Sequence, residues 1–165
     1  MFIDYRIDML FRLFIVFVVF LGMGCEKQEP PEISFDRNTR VEYKIWGGEV
    51  GSGSTSLSVF GDGTVVYVQN PPIPNNNTPA INRELNFDKG ETAEFFNLLL
   101  DAGLLTLKNY GPECCDLPGS EISGQINSYP YKAICHLECD NTWELVRSHF
   151  IPLLVRVHPE RWKAI

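Results

Sequence analysis

Leu57-Ser58-Val59-Phe60-Gly61-Asp62-Gly63-Thr64-Val65-Val66-Tyr67-Val68 is the stretch on which the fold turns. Leu57 and Val59 alternate with serine before the turn, and β-branched and aromatic residues run from Val65 to Val68 after it. Alternation with period two marks a half-buried strand. Asp62-Gly63 supplies the positive φ angles that tight hairpin turns require. The segment reads as a β-hairpin with one face turned to a core.

The flanking sequence extends the pattern. Upstream, Val41, Tyr43 and Ile45 alternate with Glu42, Lys44 and Trp46, and the Gly/Ser-rich stretch 47–54 reads as a loop. Downstream, Pro71 to Pro79 carries three consecutive asparagines and can pack no core. A fourth short strand is expected at Arg83 to Phe87. Asp88 and Glu91 have capping-box spacing, Phe95, Phe96, Leu99 and Ala102 share a helical stripe, and Gly103 stands at the C′ position. Ile122, Gly124 and Ile126 then alternate, Asn127-Ser128 turns the chain, and Tyr131, Ala133, Cys135 and Leu137 share one face on the return. Asn141 and Glu144 repeat the capping-box spacing ahead of Leu145, Val146, Phe150, Leu153 and Val157. Pro152, with no amide hydrogen, must kink or end that helix, which makes Phe150 to Val157 a separate short turn. Four strands, a helix, two strands and a helix predict a two-layer α+β sandwich: an antiparallel sheet with two helices packed on one face.

The strand–Asp-Gly–strand segment Leu57 to Val68, followed by Phe95-Phe96-Asn97-Leu98-Leu99-Leu100-Asp101-Ala102-Gly103-Leu104, resembles an uncharacterised family of small bacterial lipoprotein domains. The resemblance covers most of the chain beyond its first residues. It implies a fold and brings no active site, because no chemistry is assigned to that family.

The N-terminus has its own logic. Leu13 to Leu21 is an unbroken apolar run, followed by Gly22-Met23-Gly24 and Cys25. A comfortable membrane span needs about 20 residues, and the run is shorter. It suits the apolar region of a cleaved signal. With Arg12 ahead of it and small residues before the cysteine, the layout resembles a bacterial lipoprotein signal, in which Cys25 receives lipid. Translation from Met9 would remove Asp4 and Asp8 and leave a short cationic start. The expected division is a signal peptide over 1–24, a lipidated polar tether over 25–40 that includes Pro30-Pro31, and a single α+β domain over 41–165. The expected location is the bacterial envelope, lipid-anchored at the outer membrane on its periplasmic or surface face. Glu26 follows Cys25, where an aspartate would resemble an inner-membrane retention signal.

Five cysteines less the lipidated one leave Cys114, Cys115, Cys135 and Cys139 as disulfide candidates. A vicinal Cys114–Cys115 bridge is strained. Cys135 and Cys139 on one extended strand would lie about 13 Å apart, beyond the ~7 Å that a bridge can close. Cross-pairs between the two groups are therefore expected. The competing chemistry is zinc held by Cys114, Cys115, Cys135, His136 and Cys139, but adjacent cysteines chelate one ion poorly and an oxidising compartment works against thiolates. No metal and no cofactor is expected.

The net charge of −7 disfavours nucleic acid and anionic headgroups as partners. No catalytic motif is present: there is no Gly-x-Ser-x-Gly elbow, the glycines of 47–53 lack a phosphate-loop lysine, and His136, His149 and His158 read as surface or capping residues. Trp46, Tyr43 and Tyr67 could share a sheet face as a binding surface, with ordinary core packing as the competing reading. The functional expectation is a non-enzymatic, lipid-anchored binding domain that engages an envelope protein or ligand. The alternatives are a small inhibitor-like or ligand-binding module and, last, an enzyme.

Overall fold

A computed structural model describes residues 35, 36, 38–47, 53–72, 78–111, 117–136 and 138–162. The expected signal segment and Cys25, as well as Cys114, Cys115 and Leu137, lie outside the described residues. The described residues fall within one compact unit, Ser34–Ile165.

The chain runs β1 (Arg40–Trp46), β2 (Ser54–Phe60), β3 (Thr64–Asn70), β4 (Ile81–Asn86), α1 (Lys89–Asp101), a 3-10 turn (Leu104–Thr106), β5 (Gly119–Ile126), β6 (Tyr129–Cys135), α2 (Asn141–Ser148), α3 (Ile151–Val157) and α4 (Pro159–Trp162). The strands form one sheet in the order β4-β3-β2-β1-β5-β6. Every neighbouring pair is antiparallel. The architecture is α+β, as the strand and helix order predicts.

Register explains the core. Tyr43 lies level with Leu57 and Ile122, Leu57 with Tyr67, and Ile122 with Ala133, so these side chains share one face. All five are buried, as are Val41, Val59 and Val65 in the next row. Phe95, Phe96 and Leu99 of α1, Trp143 and Val146 of α2, and Leu153, Leu154 and Val157 of α3 join the same apolar cluster. Phe150 is the keystone, with its ring 5.1 Å from Tyr43 and 5.6 Å from Phe95. The opposite face carries Ser56, Ser58, Lys44 and Glu42, the last paired with Arg40 at 2.8 Å.

Two local readings change, the β2–β3 turn and the α2 cap, and three hold. The β2–β3 connection is Gly61-Asp62-Gly63, and only Gly63 takes positive φ (92°). That is the three-residue loop with glycine at its left-handed position, not a two-residue turn. The expected turn at Asn127-Ser128 is a two-residue one, and both residues have positive φ. The capping box at Asp88 and Glu91 is present. The α2 cap is Asp140 rather than Asn141: its carboxylate accepts from the Trp143 amide at 2.8 Å, and Glu144 pairs with Arg147 instead. The second expected helix is divided, because Pro152 sits in the first turn of α3, where its missing amide costs no intrahelical bond.

The domain also begins before Val41. Phe35 stacks on Phe96 at 4.7 Å, and Asp36 Oδ1 accepts from the amides of Asn38 and Thr39, each at 3.0 Å. Gly61 donates to the Thr39 carbonyl at 2.7 Å. The end of the stretch expected as tether thus belongs to the body at Phe35, Asp36, Asn38 and Thr39.

Candidate ligand cleft

The C-terminal end of β1, the N-terminal end of β5 and the C-terminal end of β6 lie side by side, since Trp46 pairs with Gly119 and Ile45 with Ser120, which in turn pairs with Cys135. Helix α2 passes this end with Trp143, Glu144 and Arg147, and α4 brings Trp162. Together they line a cleft of about 430 Å³. A second hollow of about 390 Å³ adjoins it, sharing Ile45, Trp46 and Trp162 and adding Ser54, Thr55, Gln69 and Asn70. Both volumes fall in the range of small-molecule sites. All three tryptophans of the chain meet here.

Each wall is positioned by identifiable contacts. The Trp46 indole donates to the Leu117 carbonyl at 3.1 Å and stands edge-on to His136, with ring centres 5.7 Å apart. Gly119 makes that approach possible: a Cβ there would lie 2.7 Å from the indole and 2.9 Å from His136 Nδ1. His136 itself is held by Tyr110, whose carbonyl accepts from the His136 amide at 3.0 Å and whose amide donates to Ile134 at 2.8 Å. The Tyr110 hydroxyl donates to Asp140 at 2.5 Å, which ties this segment to the cap of α2. That bond holds the exposed Asp140 carboxyl below, and the Tyr110 hydroxyl above, its ordinary range.

The residues around the cleft include buried polar atoms without partners. Among the described residues five buried side-chain polar atoms lack a hydrogen-bond partner, and four sit on residues that line this cleft: His136 Nδ1, Trp143 Nε1, Arg147 Nε and Trp162 Nε1. The fifth, His158 Nδ1, faces Glu160 Oε2 at 3.1 Å. Trp143 is 0% exposed. An indole N–H and a guanidinium Nε–H can only donate. A buried donor left unmet costs about 1–3 kcal/mol, so these groups weigh against stability at this end of the sheet. Arg147 is already neutralised by Glu144 at 2.7 Å. At the cleft floor, burial raises the Tyr43 hydroxyl above its ordinary range, against the Arg147 guanidinium and hydrogen bonds from Arg147 and Ser120.

The sequence-derived candidates are redistributed. Cys135 is bonded to Cys139, with Cα atoms 6.0 Å apart. The elimination of that pair assumed an extended strand through both cysteines, whereas β6 ends at Cys135 and the chain turns away at His136. Cross-pairs from Cys135 and Cys139 to Cys114 or Cys115 are thereby displaced. The zinc alternative loses two thiolates to the same bond, and among the described residues no group of three or more His, Cys, Asp or Glu is placed to hold an ion. The proposed face of Trp46, Tyr43 and Tyr67 does not form. Tyr67 is 0% and Tyr43 3% exposed in the core, while Trp46 points by strand alternation to the other side. Of the sequence-derived candidates Tyr43, Trp46, Cys135, His136 and Cys139 line the cleft, and Tyr67 does not. Trp143, Glu144, Arg147 and Trp162 join them. The i, i+4 spacing of Trp143 and Arg147 on one helix face was the available signal.

No protein-family model and no curated protein matches this chain. The class is defined by the molecule itself: an α+β domain with a tryptophan-lined cleft at one end of its sheet.

Proposed function

We propose that this chain is a lipid-anchored, non-enzymatic binding domain of the bacterial envelope and that the tryptophan cleft is its ligand site. The observation that carries the reading is a cleft of about 430 Å³ whose lining gathers all three tryptophans, His136 and the Glu144–Arg147 pair. Anchorage rests on Cys25 behind the apolar run Leu13 to Leu21. Two or more acyl chains on that sulfur would hold the domain stably at an outer-membrane leaflet, periplasmic or outward-facing. The Cys135–Cys139 bond supports an oxidising compartment, where disulfides persist. The resemblance to small bacterial lipoprotein domains agrees with this placement.

Two measurements test it. Mass spectrometry of the mature protein should find acyl groups on an N-terminal Cys25, and Cys25→Ser should release the protein from membranes. A mature terminus upstream of Cys25, or a serine variant still membrane-bound, refutes the anchorage. In the full chain labelled with ¹⁵N-tryptophan, an envelope extract should move the indole resonances of Trp143 and Trp162. An extract that moves neither refutes the cleft as the ligand site.

A further inference from the structure

We propose that the second hollow binds a small organic monocarboxylate and that Arg161 receives its carboxylate. This site adjoins the tryptophan cleft and does not depend on it. The hollow encloses about 390 Å³ at the end of the sheet where β1 and β3 finish and β2 begins. Ile45, Thr55 and Gln69 stand level across those strands, as do Trp46, Ser54 and Asn70 in the next row. Helix α4 brings Arg161 and Trp162 to the wall.

The charge of the lining selects the ligand. Among the described residues around the hollow, Arg161 alone is charged. It is exposed, and it forms no ion pair with a described residue. Its guanidinium carbon lies 5.3 Å from the centre of the Trp162 ring. A guanidinium resting on an indole is partly pre-organised, and its N–H edge stays open to an acceptor. The neighbouring polar groups also have donors to spare. Ser54 Oγ accepts from Asn70 Nδ2 at 3.1 Å, which leaves the Ser54 hydroxyl free to donate. Gln69 Oε1 accepts from Tyr67 at 3.1 Å, which leaves the Gln69 amide nitrogen free. Ser54, Gln69 and Asn70 all keep surface open to solvent. Donors around one cation match an oxyanion, and a carboxylate can take two parallel bonds from a guanidinium. One guanidinium balances one negative charge, whereas a dianion would keep an unmatched charge beside a chain of net charge −7. Screening over about 8 Å at physiological ionic strength leaves Arg161 the dominant charge for a group bound against it. Ile45, Trp46 and Pro72 add apolar surface to the hollow, so the acid carries an apolar body.

The test uses the full chain labelled with ¹⁵N-tryptophan, held in dodecyl maltoside and Tris chloride so that no other carboxylate or phosphate is present. N-acetylphenylalanine and N-acetylleucine are the probes, with their neutral amides as matched controls. At least one acid should move the Trp46 and Trp162 indole N–H resonances saturably and leave in place that of Trp143, which lines the cleft and not the hollow. Its amide should bind at least about tenfold more weakly, the loss of one charge-assisted hydrogen bond. Arg161→Gln, a change at an exposed position, should abolish the difference between acid and amide. Inorganic phosphate, which has no apolar body, should bind more weakly than the acid. No saturable shift with either acid overturns the proposal. So does equal binding of acid and amide, a preference for the acid that survives in Arg161→Gln, or phosphate binding as tight as the acid's. Saturable movement of Trp143 without Trp46 puts the acid in the tryptophan cleft and overturns the hollow as its site.

Discussion

The Cys135–Cys139 bridge separates two accounts of the same four cysteines, and peptide chemistry can decide between them. Tryptic cleavage after Lys108, Lys132 and Arg147 leaves Cys114 and Cys115 on Asn109–Lys132, and Cys135 and Cys139 on Ala133–Arg147. A bridge of sequence separation 4 is therefore internal to one peptide. Mapping without reductant should recover Ala133–Arg147 lighter by two hydrogens and not joined to the upstream peptide. The energetic expectation follows from loop length. Closing so short a loop restricts the unfolded chain by about 2 kcal/mol in the chain-entropy model, against about 3 kcal/mol for a cross-bridge spanning some 20 residues. With about 2.1 cal/mol/K of unfolding entropy per residue, 2 kcal/mol corresponds to roughly 7 °C in Tm for a domain of this length. Cys139→Ser should lower Tm by that amount in a thermal melt, and reductant should lower the native protein's Tm but not the variant's. Recovery of Asn109–Lys132 covalently joined to Ala133–Arg147 would refute the reasoning, since Cys135 or Cys139 would then be bonded outside the pair.

Other expectations follow from particular contacts. Phe150→Ala removes a ring buried between Tyr43 and Phe95 and should cost about 3–5 kcal/mol by urea unfolding; a loss below about 2 kcal/mol would mean that the core closes over the gap. Gly119→Ala forces Trp46 and His136 apart and should cost about 1–3 kcal/mol and alter indole fluorescence. Asp88→Ala removes the carboxylate that accepts from the Glu91 amide at 2.8 Å and should cost about 1 kcal/mol. The Tyr110–Asp140 bond should make stability depend on pH at both ends. Asp140 is depressed in the folded state, so its contribution is full above its ordinary value of 3.8 and is lost as pH falls through the folded value. Tyr110 is raised, so its contribution is present below 10.0 and is lost as pH rises through the folded value. The stability difference between native protein and Tyr110→Phe should be flat near neutrality and shrink towards both extremes; a pH-independent difference would show that the bond does not form.

Much of the fold was legible because it is written in local periods. The alternation through Val41, Tyr43 and Ile45 and through Leu57 and Val59 marks the buried side of β1 and β2 without knowledge of their neighbours. Asp88 with Glu91 marks the start of α1 from side-chain chemistry alone. The cleft was less legible. His136 and Trp46 stand 90 positions apart, and their contact depends on Gly119 pairing with Trp46 across β1 and β5. The two tyrosines offered beside Trp46 share an aromatic character with it but not a face, because residues an odd number apart on a strand point to opposite sides.

By itself the sequence determined the strand and helix content, the antiparallel hairpins, the caps of α1 and the acidic balance, since each depends on residues a few positions apart. Only the tertiary structure decided that Phe35 belongs to the body, that Cys135 turns back to Cys139, and that Trp46, Trp143 and Trp162 line one cleft. Those relations arise where strand ends, a helix and the chain terminus are brought together by burying one sheet face. No local period encodes which distant side chains that burial will make neighbours.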